Sequence, residues 1–172
     1  SEIKLAPVKA QEALLTPQEQ KFYATYDQPD FNNPMPWAEG PRRMGTDKNA
    51  DVLWIGDSWG ANLARIDTHT KTVTFVPLPG EQQPYHVAVD KNHDAWTNLW
   101  GADRIMRYDP SNGNWTAFDL PTRGAEPRYI SLLERPGQDT EVALPYFRAR
   151  KVAVMTLRSQ AEIDALKKQS AQ

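Results

Sequence analysis

The chain has 172 residues, 20 of them basic and 22 acidic, for a formal net charge of −2 and a pI of about 5.9. That length fits one domain, and neither the charge nor the pI argues for a nucleic-acid or membrane-surface partner. Cysteine is absent, so disulfides, thiolate nucleophiles and Cys-based metal sites are excluded, and no apolar run approaches the ~18 residues of a membrane-inserted helix.

In chain order, residues 1–40 stand apart from the rest. The chain begins at Ser1 without a leading Met, as a processed or trimmed product would. Thr16-Pro17-Gln18-Glu19 reads as a helix start: a cap, a proline in the first turn, then an acid. The expected helix lies between Ala10 and Tyr26, with Phe22, Tyr23 and Tyr26 on one apolar face. The Pro- and Asn-rich stretch DQPDFNNPMPWAEG that follows reads as an extended arm, with Phe31, Met35 and Trp37 as anchors. Phe22, Tyr26, Phe31, Met35 and Trp37 are therefore the expected partner-binding residues.

From Pro41 onward the sequence repeats. Asp47-Lys48-Asn49 returns as Asp90-Lys91-Asn92, Ala64-Arg65-Ile66-Asp67 as Met106-Arg107-Tyr108-Asp109, TFVPLP from Thr74 as TAFDLP from Thr116, and Trp54 as Trp96. A Trp-Gly pair follows each of these tryptophans, at Trp59-Gly60 and Trp100-Gly101. A diverged third copy opens at Pro127-Arg128-Tyr129, lacks the Asp-Lys-Asn triplet and ends in KVAVMTL. The second copy divides into four strands, HVAVD, AWTNLW, RIMRYD and NWTAFDL, separated by turn residues such as Asp109-Pro110 and Asn112-Gly113. A period of ~40–45 residues with four short strands is that of a β-propeller blade. The expected fold is all-β: a partial β-propeller of about three four-stranded blades at 41–83, 84–126 and 127–158, preceded by a helix and arm at 1–40 and followed by a short helix and tail at 159–172. A plain β-sandwich is the competing architecture, and four features recurring in register favour the propeller. Ser159-Gln160-Ala161-Glu162 has the form of a capping box for the last helix.

The blade pattern resembles the streptogramin lyase (virginiamycin B lyase) family and the wider group of NHL-like propellers. The residues that carry it are Pro84-Tyr85-His86-Val87-Ala88-Val89-Asp90, Ala95-Trp96-Thr97-Asn98, Arg104 to Asp109 and Asp119-Leu120-Pro121 in the second copy, with Leu63 to Asp67 and Pro77-Leu78-Pro79 in the first. The resemblance implies a closed seven-bladed propeller for the complete fold and, for the lyases, magnesium-assisted opening of a lactone-type ring by a His and a Glu-x-His pair. That pair has no counterpart here. The single acid-x-His is Asp67-Thr68-His69, in a turn between outer strands, and the position of the family's Trp-Phe-Thr-Glu glutamate falls near Asp57 and Leu99.

The residues after each blade-opening proline are expected to converge at one mouth of the central channel: Arg42 and Arg43, Tyr85 and His86, Arg128 and Tyr129. This set, with Asp57, Asn98, Trp59 and Trp100 at the ends of the second strands, is the candidate ligand site, and its arginines suit a small anion. Two readings of it stand open. The same side chains can bind a ligand or can bond neighbouring blades. His86 is the candidate catalytic base. No protein metal ligands and no cofactor are expected, magnesium entering only with the lyase activity. Three blades are expected to leave two apolar faces to be covered, so the expected function is a non-catalytic binding or scaffold module completing a larger propeller or complex. A lyase-like enzyme and an accessory subunit of a periplasmic dehydrogenase are the alternatives. The expected partner is another chain or the rest of a propeller, with no nucleic acid and no membrane insertion, in a periplasmic or extracellular setting.

Overall fold

The computed structural model describes residues 2, 3, 5, 15–24, 40–80 and 82–170. Three antiparallel sheets follow one another in the order of the repeat. Blade one is β1 (Pro41–Asp47), β2 (Val52–Asp57), β3 (Asn62–Asp67) and β4 (Val73–Pro77), and blade two is β5 (Pro84–Val89), β6 (Ala95–Leu99), β7 (Arg104–Asp109) and β8 (Asn114–Asp119), each a meander of sequential neighbours. Blade three departs from the expected four strands. It has β9 (Ser131–Leu133), β10 (Glu141–Tyr146) and β11 (Lys151–Thr156), with a lone bridge from Pro127 to Tyr146 continuing its inner edge. After β11, where a fourth strand would begin, the chain enters helix α2 (Gln160–Ser170) instead. The cause is local: Ser159 and Glu162 form the anticipated capping box, with the Ser159 N–H donating to the Glu162 carboxylate at 2.7 Å and the Glu162 N–H to Ser159 Oγ at 3.3 Å.

The inner strands lie side by side, β1 against β5 and β5 against β9. Between blades one and two the core is Val52, Trp54, Leu63 and Leu78 against Val87, Val89, Leu99 and Met106. Between blades two and three it is Trp96, Ile105 and Leu120 against Ile130, Val142, Leu144 and Tyr146. The two tryptophans of the repeat thus do the same job, each filling the interface ahead of its own blade. Gly45 shows how closely β1 approaches β5: a Cβ there would sit 2.3 Å from the Val87 carbonyl oxygen.

Polar ties join the blades at both ends of the inner strands. At the Pro41 end, the Ser58 hydroxyl donates to the Pro84 carbonyl and the Asn98 amide to the Pro127 carbonyl, each at 2.5 Å. At the opposite end the Asp-Lys-Asn turns close on themselves, Asn49 and Asn92 donating their N–H groups to Asp47 and Asp90 at 2.9 Å. They also reach the next blade: the Asn49 amide donates to the Lys91 carbonyl at 3.5 Å, and Lys91 donates to Glu134 and to the Gln138 carbonyl, both at 2.6 Å. His93 adds a contact across the same joint, its Nδ1 lying 2.6 Å from Asp47.

Of the two faces expected to be bare, that of blade one is partly covered from within the chain: Ile3 and Leu5 pack with Ile55, Ala64 and Ile66. Helix α1 (Pro17–Ala24) starts at Thr16, which exchanges hydrogen bonds with Glu19. Phe22 remains half-exposed on it. Tyr26, Phe31, Met35 and Trp37 lie outside the described residues, as does the side chain of Tyr23. Among the described residues no helix is long and apolar enough to cross a membrane.

Candidate functional site

Consecutive residues on a regular strand point to opposite faces, so Arg42 and Arg43 should part company. They do not. The pairing of β1 with β2 slips between Pro41 and Met44, and that of β5 with β6 slips between Pro84 and His86. Such bulges re-aim side chains. Here they bring Arg42 to 5.9 Å and Arg43 to 5.8 Å from the centre of the same Tyr85 ring. Arg42 also lies over Trp59 and Trp100, both at 5.3 Å, and Arg43 over Tyr129 at 5.9 Å. Arg128 of the third copy stands 5.8 Å from the Trp100 ring and 4.0 Å from that of Phe147. The six residues expected to converge after the blade-opening prolines therefore meet at one end of the inner strands, together with Trp59 and Trp100. Trp59 is seated on Gly40, whose positive φ of 67° and missing Cβ leave room for the indole.

His86 is placed in the inner wall of this mouth. The Ile130 N–H donates to its Nδ1 at 3.1 Å, which puts the proton of the neutral ring on Nε2, and the Met44 backbone is a second partner. Burial, with the nearby Arg43 charge, lowers its pKa to about 4. The imidazole is thus neutral at pH 7 and ties the inner strand of blade two to those of blades one and three. As a general base it is weak. Asp57 and Asn98 are wholly buried, with 0% exposure each. Asn98 also accepts the His86 N–H at 3.3 Å, so its amide serves the joint between blades.

Glu126, which the sequence did not single out, belongs to the site, and so does Arg148, which the sequence marks only as one of a basic C-terminal set (Arg148, Arg150, Lys151, Arg158, Lys167 and Lys168) expected to face solvent. Glu126 lies in the left-handed region at φ 46°, an uncommon conformation for a residue with a side chain. Its carboxylate accepts hydrogen bonds from Arg128 (Nε at 2.9 Å), from the Trp100 indole at 3.2 Å and from Arg148. These donors, Arg128 foremost, hold its pKa down to about 2. Together they wall an open cavity of about 310 Å³ between blades two and three, floored by Gly101 and Asp103. Arg148 is thus spent on an ion pair with Glu126 rather than on solvent. A second open cavity, of about 350 Å³, runs down the inner strands from Met44 and Tyr129 to Lys48 and Glu134.

The residues at the mouth do not fit the magnesium that the family resemblance implies. His86 is held by backbone groups with the Arg43 charge nearby, the Glu126 carboxylate is taken up by Arg128 and Arg148, and His69 of the acid-x-His sequence pairs with Asp51 at 2.8 Å in an outer turn. Among the described residues no three His, Asp or Glu side chains gather to hold a metal ion.

No protein-family model matches the chain, and no curated protein matches its sequence. Solved structures do. A streptogramin B lyase superposes with a TM-score of 0.56 at 14% identity over 71% of this chain and 42% of its own. An inactive virginiamycin B lyase from Staphylococcus aureus, solved with quinupristin, gives 0.57 at 26% identity over 73% and 40%. Sqt1 of Saccharomyces cerevisiae gives 0.57 at 11% identity over 73% and 33%. The chain is a partial β-propeller. It spans about two-fifths of the length of the lyases it resembles. This partial propeller shares their blade architecture, while its mouth is built of arginine and aromatic rings.

Proposed function

We propose that the chain is a non-catalytic binding module that completes a larger propeller by docking a further blade on the open face of blade three. One observation carries this. Leu133 of β9, Pro145 of β10 and Val152 and Val154 of β11 are all exposed, the valines to 72% and 58%, on the side of the sheet turned away from blade two. The expected occupant is a four-stranded sheet with an apolar rear face, because the two joints already present are of that kind and the open face continues their series. Apolar patches of this sort on a β-sheet mark an interaction surface. The span of the chain relative to complete propellers supports the same reading. The proposal sets the assembly in the periplasm or outside the cell, where a cysteine-free chain is at no disadvantage.

Native mass spectrometry of the chain as isolated from its source tests this, with Val152→Lys/Val154→Lys as the control. The supporting result is an assembly containing a second propeller-bearing chain or blade set, lost in the double variant. A lone mass of 19.5 kDa, or an assembly that the double variant leaves intact, overturns it. A partner chain carrying a redox cofactor in place of blades also overturns it and makes the protein an accessory subunit of a dehydrogenase.

A further inference from the structure

We infer that the mouth is a binding site for an aromatic organic oxyanion, with Arg42 and Arg43 holding the charged group and the exposed rings of Trp59 and Tyr129 taking the aromatic body. The inference stands apart from the docking of a further blade, since every residue it uses belongs to this chain.

The charge argument comes first. Arg42 and Arg43 are exposed and form no salt bridge among the described residues, whereas Arg128 and Arg148 share the Glu126 carboxylate. His86 is neutral at pH 7 and cannot add to the charge or relieve it. Two guanidinium groups with no ion-pair partner among the described residues are therefore drawn to one aromatic cluster by the bulge in β1. A guanidinium beside a ring makes no hydrogen bond to it in the ring plane, and an N–H edge left free in this way matches a carboxylate or phosphate bidentately. Arginines arranged only to bond neighbouring blades would instead be turned toward backbone carbonyls. Those carbonyls are already served here by Ser58 and Asn98.

The second argument is the apolar rim. Trp59 is 43% and Tyr129 44% exposed, and Met44 and Phe147 more so, all beside the arginines. A bare inorganic anion would leave these surfaces in water, while a ligand with an aromatic body covers them. Glu126 acts as a positioning residue: it fixes the Trp100 indole beneath Arg42 and withholds Arg128 from the ligand.

The test is titration of the full-length chain with phenyl phosphate, followed by calorimetry and by the fluorescence of Trp59 and Trp100. Saturable binding is expected, weakening with salt, with phenol and inorganic phosphate each at least about tenfold weaker. Arg42→Gln/Arg43→Gln should weaken binding about tenfold or more while the chain stays folded, with the thermal midpoint falling by no more than the few degrees that the lost ring contacts account for. Arg42→Lys, which keeps the charge and loses the planar fork, should fall between. Glu126→Gln should tighten binding by freeing Arg128. No saturable binding, or binding unchanged in the double variant, overturns the site. Inorganic phosphate binding as tightly as phenyl phosphate overturns the aromatic part of the assignment.

Discussion

His86 stacks on Tyr129, with ring centroids 4.3 Å apart and planes inclined by 19°, while its Nδ1 takes the Ile130 N–H. The ring is folded into the joint between blades two and three in its neutral form. Its folded pKa lies near 4, below the roughly 6.5 of an unfolded chain, so the unfolded chain binds the proton first as pH falls. The stability His86 contributes is complete above about pH 6.5 and is lost between there and about pH 4, a change of up to about 3 kcal/mol. Urea unfolding of the wild type and of His86→Gln at about pH 7 and about pH 4.5 should reveal that loss as the difference between the two pH dependences. An unchanged pH dependence in the variant would mean that the imidazole is not the group responsible.

Asp94 works in the opposite direction. Burial and the Asp90 charge raise its pKa to about 6, against a partial offset from Arg107, whose Nε lies 3.7 Å away. The folded protein therefore binds the proton more tightly than the unfolded chain, and stability falls as pH rises from about 4 to about 6. Asp94→Asn should stabilise the protein by about 1–2 kcal/mol at pH 7 and change it little at about pH 4. Since the wild-type slopes of His86 and Asp94 partly cancel, the variant should also lose stability more steeply on acidification.

A glycine of an inner strand and one of an outer turn should respond differently to alanine. Gly45→Ala would push a methyl group to 2.3 Å from the Val87 carbonyl oxygen. The blades must separate to accept it, at a cost of about 2–3 kcal/mol or more. Gly113 has φ of 76° and nothing within 4 Å of an added Cβ, so Gly113→Ala costs only the left-handed strain of about 1 kcal/mol. Thermal unfolding of the two variants side by side checks the difference, and equal losses would show that the β1–β5 approach is not tight.

Asn98 should be the most sensitive polar residue of the joint. Its amide donates to the Pro127 carbonyl and accepts the His86 N–H, all out of contact with water. Asn98→Ala leaves two buried backbone groups unpaired, for a loss of about 2–3 kcal/mol. The midpoint of urea unfolding measures it, and an effect below about 0.5 kcal/mol would rule out this role.

The blades were legible because a repeated fold repeats its local chemistry: Trp54 and Trp96, the Asp-Lys-Asn turns and the opening prolines recur at nearly fixed spacing, and each recurs for the same packing reason. Blade three was legible only to its third strand. There the helix signal at Ser159–Glu162, itself readable, overrides the period. The convergence at the mouth followed from the topology, but its cause did not, because a bulge at Arg42-Arg43 depends on pairing with β2 and leaves no mark in the residue types. Glu126 was hidden for a related reason. It sits between copies, outside the periodic strands, and its partners Trp100 and Arg148 are 26 and 22 residues away in sequence.

The outer edge of β11 has a consequence for handling the protein. Among the described residues no strand pairs with it, so a row of backbone donors and acceptors runs beside the exposed Val152 and Val154. Such an edge is a template for strand addition by any extended chain, and the cations of Arg150, Lys151 and Arg158 that bracket it are its defence. At low ionic strength their mutual repulsion keeps two edges apart. As salt screens them, concentrated solutions of the isolated chain should turn turbid through growth of intermolecular sheet, starting from this strand.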